Sequence, residues 1–162
     1  MKKLIIPIAL LMLIVMLGLW WGRNPPDEED IESFMEKHGG EIHIINGYLL
    51  GLGDSDAIIN NHTGAIVVDF EHRTVEDEAV REAIRVLWRG GCTSVFKCGD
   101  YNAIEYTIWK KTIGQVSCGF VYAIDEGSAP KVQFQTKLIP LPEDGWYYFL
   151  SEYEKWRVEQ NS

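Results

Sequence analysis

Cations are scarce in most of this chain. All 24 acidic residues lie after Pro26, and three of the 15 basic residues (Lys2, Lys3, Arg23) lie before it. Beyond Pro26, 12 basic side chains therefore face 24 acidic ones. Such a surface excludes a nucleic-acid partner, because affinity there comes largely from cations that neutralise phosphates. It also repels an anionic lipid surface. The nucleotide and metalloprotease signatures are missing too. There is no Walker loop, no dinucleotide fingerprint and no His-Glu-x-x-His, so no cofactor is expected. Internal repeats and low-complexity tracts are absent.

The one long apolar run is at the start. Leu4 to Trp21 is 18 residues without a charge. As a helix at ~1.5 Å per residue it spans about 27 Å, close to a hydrocarbon core of roughly 30 Å. Trp20 and Trp21 fall at its far end, where indole rings favour the interface. Lys2 and Lys3 precede the run, and Asp27, Glu28, Glu29 and Asp30 follow it. The positive-inside rule puts the N-terminus in the cytoplasm and the rest outside. No small-x-small cleavage site ends the run. The sequence thus reads as a signal-anchor over 1–22, a stiff linker over 23–26 and an extracytoplasmic α+β domain over 27–162. The bilayer is a partner through residues 4–21, and a protein partner is allowed.

Inside the domain, the spacing of Ile31, Phe34, Met35 and His38 predicts a helix from Asp27 to His38, with Gly39-Gly40 ending it. Asn46-Gly47 between β-prone stretches predicts a hairpin over Glu41 to Leu52. A second hairpin is expected from Ala57 to Asn60 and Ala65 to Phe70, and the four strands would form an antiparallel meander. Thr74 to Arg89 reads as an amphipathic helix, capped by Thr74 and stopped by Gly90-Gly91. Strands are expected over Thr93–Lys97, Ile104–Lys110, Val116–Ala123 and Lys131–Leu138. Trp146 to Arg157 fits a helix, although Tyr147 and Tyr148 also suit a strand. Runs of strands with segregated helices give an α+β fold with a mainly antiparallel sheet and two or three helices.

Three cysteines leave at least one unpaired in a monomer. An extended Thr93–Lys97 holds Cys92 and Cys98 roughly 20 Å apart, so an internal disulfide would involve Cys118, with Cys98 the first choice. His43, His62, Asp69, Glu71 and His72 are ligand types for zinc, but nothing in their spacing sets a coordination geometry, and no metal site is expected. Asp54 and Asp56 begin like a calcium loop, yet Ile58 stands where an oxygen ligand is needed. The tryptophans after the linker mostly recur at core-facing positions.

Gly53-Asp54-Ser55 resembles the Gly-Asp-Ser block of the SGNH/GDSL hydrolases, and Asp69-Phe70-Glu71-His72 resembles their Asp-x-x-His block. That resemblance implies a Ser55 nucleophile, a His72 base and an orienting Asp69. It covers only these two stretches. The family carries the second block near the C-terminus after several βαβ units, and here it follows Ser55 by 14 residues. The leading expectation is therefore a non-enzymatic, membrane-anchored module that binds or senses. A small serine hydrolase is the alternative.

Overall fold

The computed structural model describes residues 24–112, 114–125 and 127–160. The apolar run Leu4–Trp21 lies outside them. Among the described residues, no helix is long and apolar enough to cross a membrane.

The first helix, α1, runs from Glu28 to Leu50. Asp27 opens it with a capping box: its carboxylate accepts from the Asp30 amide at 3.0 Å, and the Asp30 carboxylate accepts from the Asp27 amide at 3.3 Å. This reciprocal pairing satisfies amides that a helix start leaves without partners. The helix does not stop at Gly39-Gly40, and the expected Glu41–Leu52 hairpin does not exist. Each glycine costs about 1 kcal/mol against alanine in a helix. A buried stripe of Ile31, Met35, His38, Ile42, Ile45 and Leu49 continues through both glycines, and each of its large apolar members contributes roughly 1.5–3 kcal/mol. Tertiary burial overrides the Asn-Gly turn signal. The chain marks the junction only with a kink at His38 (φ −117°, ψ 17°).

Eight strands form one sheet: β1 Ala57–Ile59, β2 Ala65–Val68, β3 Glu71–Thr74, β4 Ser94–Cys98, β5 Ala103–Lys111, β6 Val116–Ala123, β7 Gln135–Pro140 and β8 Trp146–Glu152. Their order is β3-β2-β1-β4-β5-β6-β8-β7, with every pairing antiparallel. The mainly antiparallel α+β architecture agrees with the sequence reading, while several boundaries differ. With α1 in place of the first hairpin, the expected four-strand meander reduces to β1–β2, and β3 joins it. That third strand is exposed at all four positions and has no apolar alternation for a sequence reading to find. The Trp146–Arg157 segment divides into β8 and a short helix α3, Tyr153–Gln160.

Helix α2, Glu78–Gly90, crosses from edge strand β3 to central strand β4. Its N-cap is Asp77, whose carboxylate accepts from the Ala79 and Val80 amides, so Thr74 remains in β3. Gly91 ends it in the left-handed conformation (φ 114°), as a C-terminal glycine commonly does. Both α1 and α2 pack on the same face of the sheet. Val80, Ile84 and Leu87 of α2 join the α1 stripe over Ile59, Ile66, Val95, Tyr106 and Phe120. Gly90 lets the helices approach: a Cβ there would lie 2.7 Å from His38 Nε2.

The β2–β3 turn puts Asp69 (φ 49°) and Phe70 (φ 69°) both in the left-handed region. Two-residue hairpins require this geometry, which glycine tolerates and a bulky residue resists. Phe70 is 99% exposed, so no packing offsets the strain. Phe70→Gly is expected to stabilise the domain by about 1 kcal/mol, read as a higher urea midpoint. An unchanged or lower midpoint would show that the turn relaxes in solution.

Candidate functional site

The opposite face of the sheet is covered only in part. The β6–β7 connection folds back over it, and Val132 packs there on Ala103, Val121 and Phe149. Two contacts hold that segment to β8. The Ser151 hydroxyl donates to the Gln133 carbonyl at 2.8 Å, and the Glu152 amide donates to the Phe134 carbonyl at 3.1 Å. Phe134, itself left-handed at φ 56°, is then packed edge-on by Tyr153 and Trp156 of α3, with ring centroids 4.9 and 5.2 Å away.

Between this segment, β4–β5 and the β5–β6 turn lies a cleft of about 430 Å³. Phe96, Tyr101 and Phe134 supply aromatic walls, and Glu105, Lys110 and Lys111 supply the charge. Glu105 is half-buried. Its only hydrogen-bond donor among the described residues is the Thr107 hydroxyl, at 3.2 Å. Burial pushes its pKa up to about 7, and the Thr107 bond opposes the rise only in part. Lys110 and Lys111 form no ion pair with another described residue.

A β-bulge determines which of these groups share a face. In β5, Thr107 pairs with Gly119, and the next pair is Trp109 with Cys118, so Ile108 is an extra residue. Strand side chains alternate, and one inserted residue reverses the alternation beyond it. Trp109 therefore joins the helix-side core, and Lys110, opposite Ser117, comes to the face that carries Glu105. Without the bulge, Lys110 would point toward the helices.

The raised pKa of Glu105 predicts a pH dependence. An unfolded glutamate titrates near 4.3, well below the folded value of about 7. A folded state that binds a proton more tightly than the unfolded one loses stability as pH rises through that window. The contribution is complete below about pH 4 and gone above about pH 7. Urea midpoints taken from pH 5 to 8.5 should fall for the wild type and flatten in Glu105→Gln. Parallel curves would show that the carboxyl titrates as an exposed one.

The residues singled out in the sequence lie elsewhere and do not form a relay. Asp69 sits in the β2–β3 turn, where its carboxylate accepts from the Asp56 amide at 3.0 Å. His72 is exposed on edge strand β3, paired with Val67, which pairs in turn with Ile58. Two ladder spacings put the His72 and Ile58 Cα atoms roughly 10 Å apart, and Ser55 lies three residues further upstream. Among the described residues, no hydrogen bond joins Ser55, Asp69 and His72. Ser55 instead offers its carbonyl to the ammonium of Lys97 at 2.7 Å.

No three His, Cys, Asp or Glu side chains among the described residues are grouped to hold a metal ion. His43 lies on α1 beside Glu143 and Asp144, apart from His62 and His72. The preferred disulfide is corrected. All three cysteines are free and buried. Cys98 pairs with Ala103, which pairs with Ala123, five residues along β6 from Cys118. Two strand spacings and five rises give roughly 20 Å, far beyond the ~7 Å limit for a bridge. Burial pushes the Cys92 and Cys118 thiols up to about 12 and raises Cys98, so none is a thiolate at neutral pH.

Fold and cleft together define an α+β domain with two helices on one face of an eight-stranded antiparallel sheet and a partly open, clefted face on the other. Compared with known protein families, curated proteins and solved structures, the chain finds no match. Sequence reasoning missed Glu105. The signal available was a lone acid in the apolar run Ala103-Ile104-Glu105-Tyr106, since a carboxyl in a central strand is seldom buried without a reason.

Proposed function

We propose that this chain is a membrane-tethered extracytoplasmic domain that binds a small ligand, without catalysis, in the Glu105 cleft. The observation that carries the binding reading is Glu105: a carboxyl sunk into a largely apolar cleft with a single hydroxyl for company. Concave apolar sites with a few convergent polar groups are where small molecules bind. Strongly shifted ionisable groups cluster at functional sites.

The tether is supported by the Leu4–Trp21 run and by the way the chain enters the domain. The Tyr148 hydroxyl donates to the Pro26 carbonyl at 3.2 Å, and Glu28 pairs with Lys137 of β7. The Cys118 thiol also faces the Pro26 carbonyl at 3.9 Å, so the linker meets the sheet one residue from cleft-lining Ser117, on the other face. An anchor ahead of Pro26 would leave the domain close to the cleft.

Two experiments test the proposal. Thermal-shift screening of the full-length chain in detergent should find small molecules that raise Tm for the wild type and not for Glu105→Gln. Hits indifferent to that substitution would move the site away from the cleft. The tethered chain should resist alkaline carbonate extraction and be cut by protease added to intact cells. Release into the carbonate supernatant would remove the anchor.

A further inference from the structure

We infer that the ligand of this cleft is a short, peptide-like zwitterion, with its ammonium end at Glu105 and its carboxylate end at Lys110. This rests on the binding reading above and specifies the ligand class. The cleft is bipolar, and the bulge makes it so by turning Lys110 to the face of Glu105. In a domain whose acids outnumber its bases two to one, Lys110, which forms no ion pair with another described residue, is a local basic end. An anion would leave the Glu105 carboxyl with only the Thr107 hydroxyl, and a simple cation would leave Lys110 unused. A molecule with opposite charges at its two ends satisfies both.

The span selects the length. Glu105 lies opposite Val121, and Lys110 opposite Ser117. Those positions are four residues apart on the unbulged strand, about 14 Å. An extended chain covers at most ~3.3–3.6 Å per residue, so three or four residues reach from one end to the other. A phospholipid headgroup has its ammonium and phosphate only two carbons apart and does not reach both. Phe96 and Phe134 offer apolar walls for side chains, while Ser117 and Gln133 offer hydrogen-bonding groups for the peptide backbone.

The test is calorimetric titration of the full-length chain in detergent at pH 7.5 and low salt. The probes are the peptides Ala-Leu-Ala and Ala-Leu-Ala-Ala, their N-acetylated and C-amidated forms, and O-phosphoethanolamine. At least one free peptide should bind, and blocking either end should weaken it tenfold or more. Glu105→Gln should abolish the penalty for acetylation and keep that for amidation. Lys110→Gln should do the reverse, and both variants should keep the wild-type circular dichroism. O-phosphoethanolamine should not bind. Absence of heat with both free peptides, or equal affinity of free and blocked forms, overturns the assignment. If a screening hit still requires Glu105 while the peptides do not bind, the cleft stands as a site and only this ligand class falls.

Discussion

Gly119→Ala is expected to cost 3 kcal/mol or more and to lower Tm by about 10 °C, the largest loss from removing a glycine hydrogen in this domain. Gly119 lies in β6 opposite Thr107, at the edge of the bulge. A Cβ at this position would fall onto the carbonyl oxygen of Tyr106, deep inside van der Waals contact, and crowd the Ile108 amide at 3.1 Å. Both neighbours are backbone in the middle of the sheet, so no side chain can swing aside. Relief requires β5 and β6 to separate or the extra residue to be expelled. Expulsion would turn Lys110 away from Glu105, so the variant should lose the charged-end selectivity of the cleft together with stability. The check is a urea melt of the purified domain-bearing chain. A midpoint within error of the wild type would show that β5 runs without its bulge in solution.

Lys97→Met should destabilise the domain by about 2–3 kcal/mol even though it replaces a buried charge with an apolar chain of similar length. Lys97 is 1% exposed. Its ammonium donates to the carbonyls of Gly53 and Ser55, in the segment that leaves α1. Methionine fills the volume but donates nothing, and two inward-facing carbonyls then lose charge-assisted bonds. The cation also sits just beyond the carbonyl end of α1, where the helix dipole favours positive charge. The loss should be local as well as global: amides of residues 51–56 should exchange faster in the variant while those of β5 and β6 change less. Full stability with unaltered exchange would mean that water replaces the ammonium at no cost.

Much of the sheet was legible. The strands β4, β5 and β6 and helix α2 follow from local apolar periodicity, because their neighbours in sequence and in space demand the same pattern. The largest failure, at α1, has one cause. Asn46-Gly47 and Gly39-Gly40 are strong local signals, and α1 passes through both because its stripe has a sheet to cover. The stripe from Ile31 to Leu49 was visible at a spacing near 3.5 residues, but local turn chemistry obscured it. Edge strand β3 is the converse case: Glu71 to Thr74 carries no strand signal and is held by backbone bonds to β2 alone.

The candidate site was less accessible than the fold. Ser55, Asp69 and His72 are close in sequence and spell familiar blocks, yet the β2–β3 turn sends Asp69 toward Asp56 and His72 to the sheet edge. Glu105, Lys110 and Phe134 carry no motif. They meet because a single inserted residue reverses the alternation of β5 and because the β6–β7 segment is pinned to β8.

By itself the sequence determined the acidity of the domain, its apolar leading segment, and its class as helices with an antiparallel sheet. Each depends on composition or on patterns a few residues long, and short-range forces suffice to read them. Only the tertiary structure decided the length of α1, the separation of the cysteines and the faces that Glu105 and Lys110 share. Those depend on register and burial, which join residues far apart in the chain and outweigh any single residue's preference.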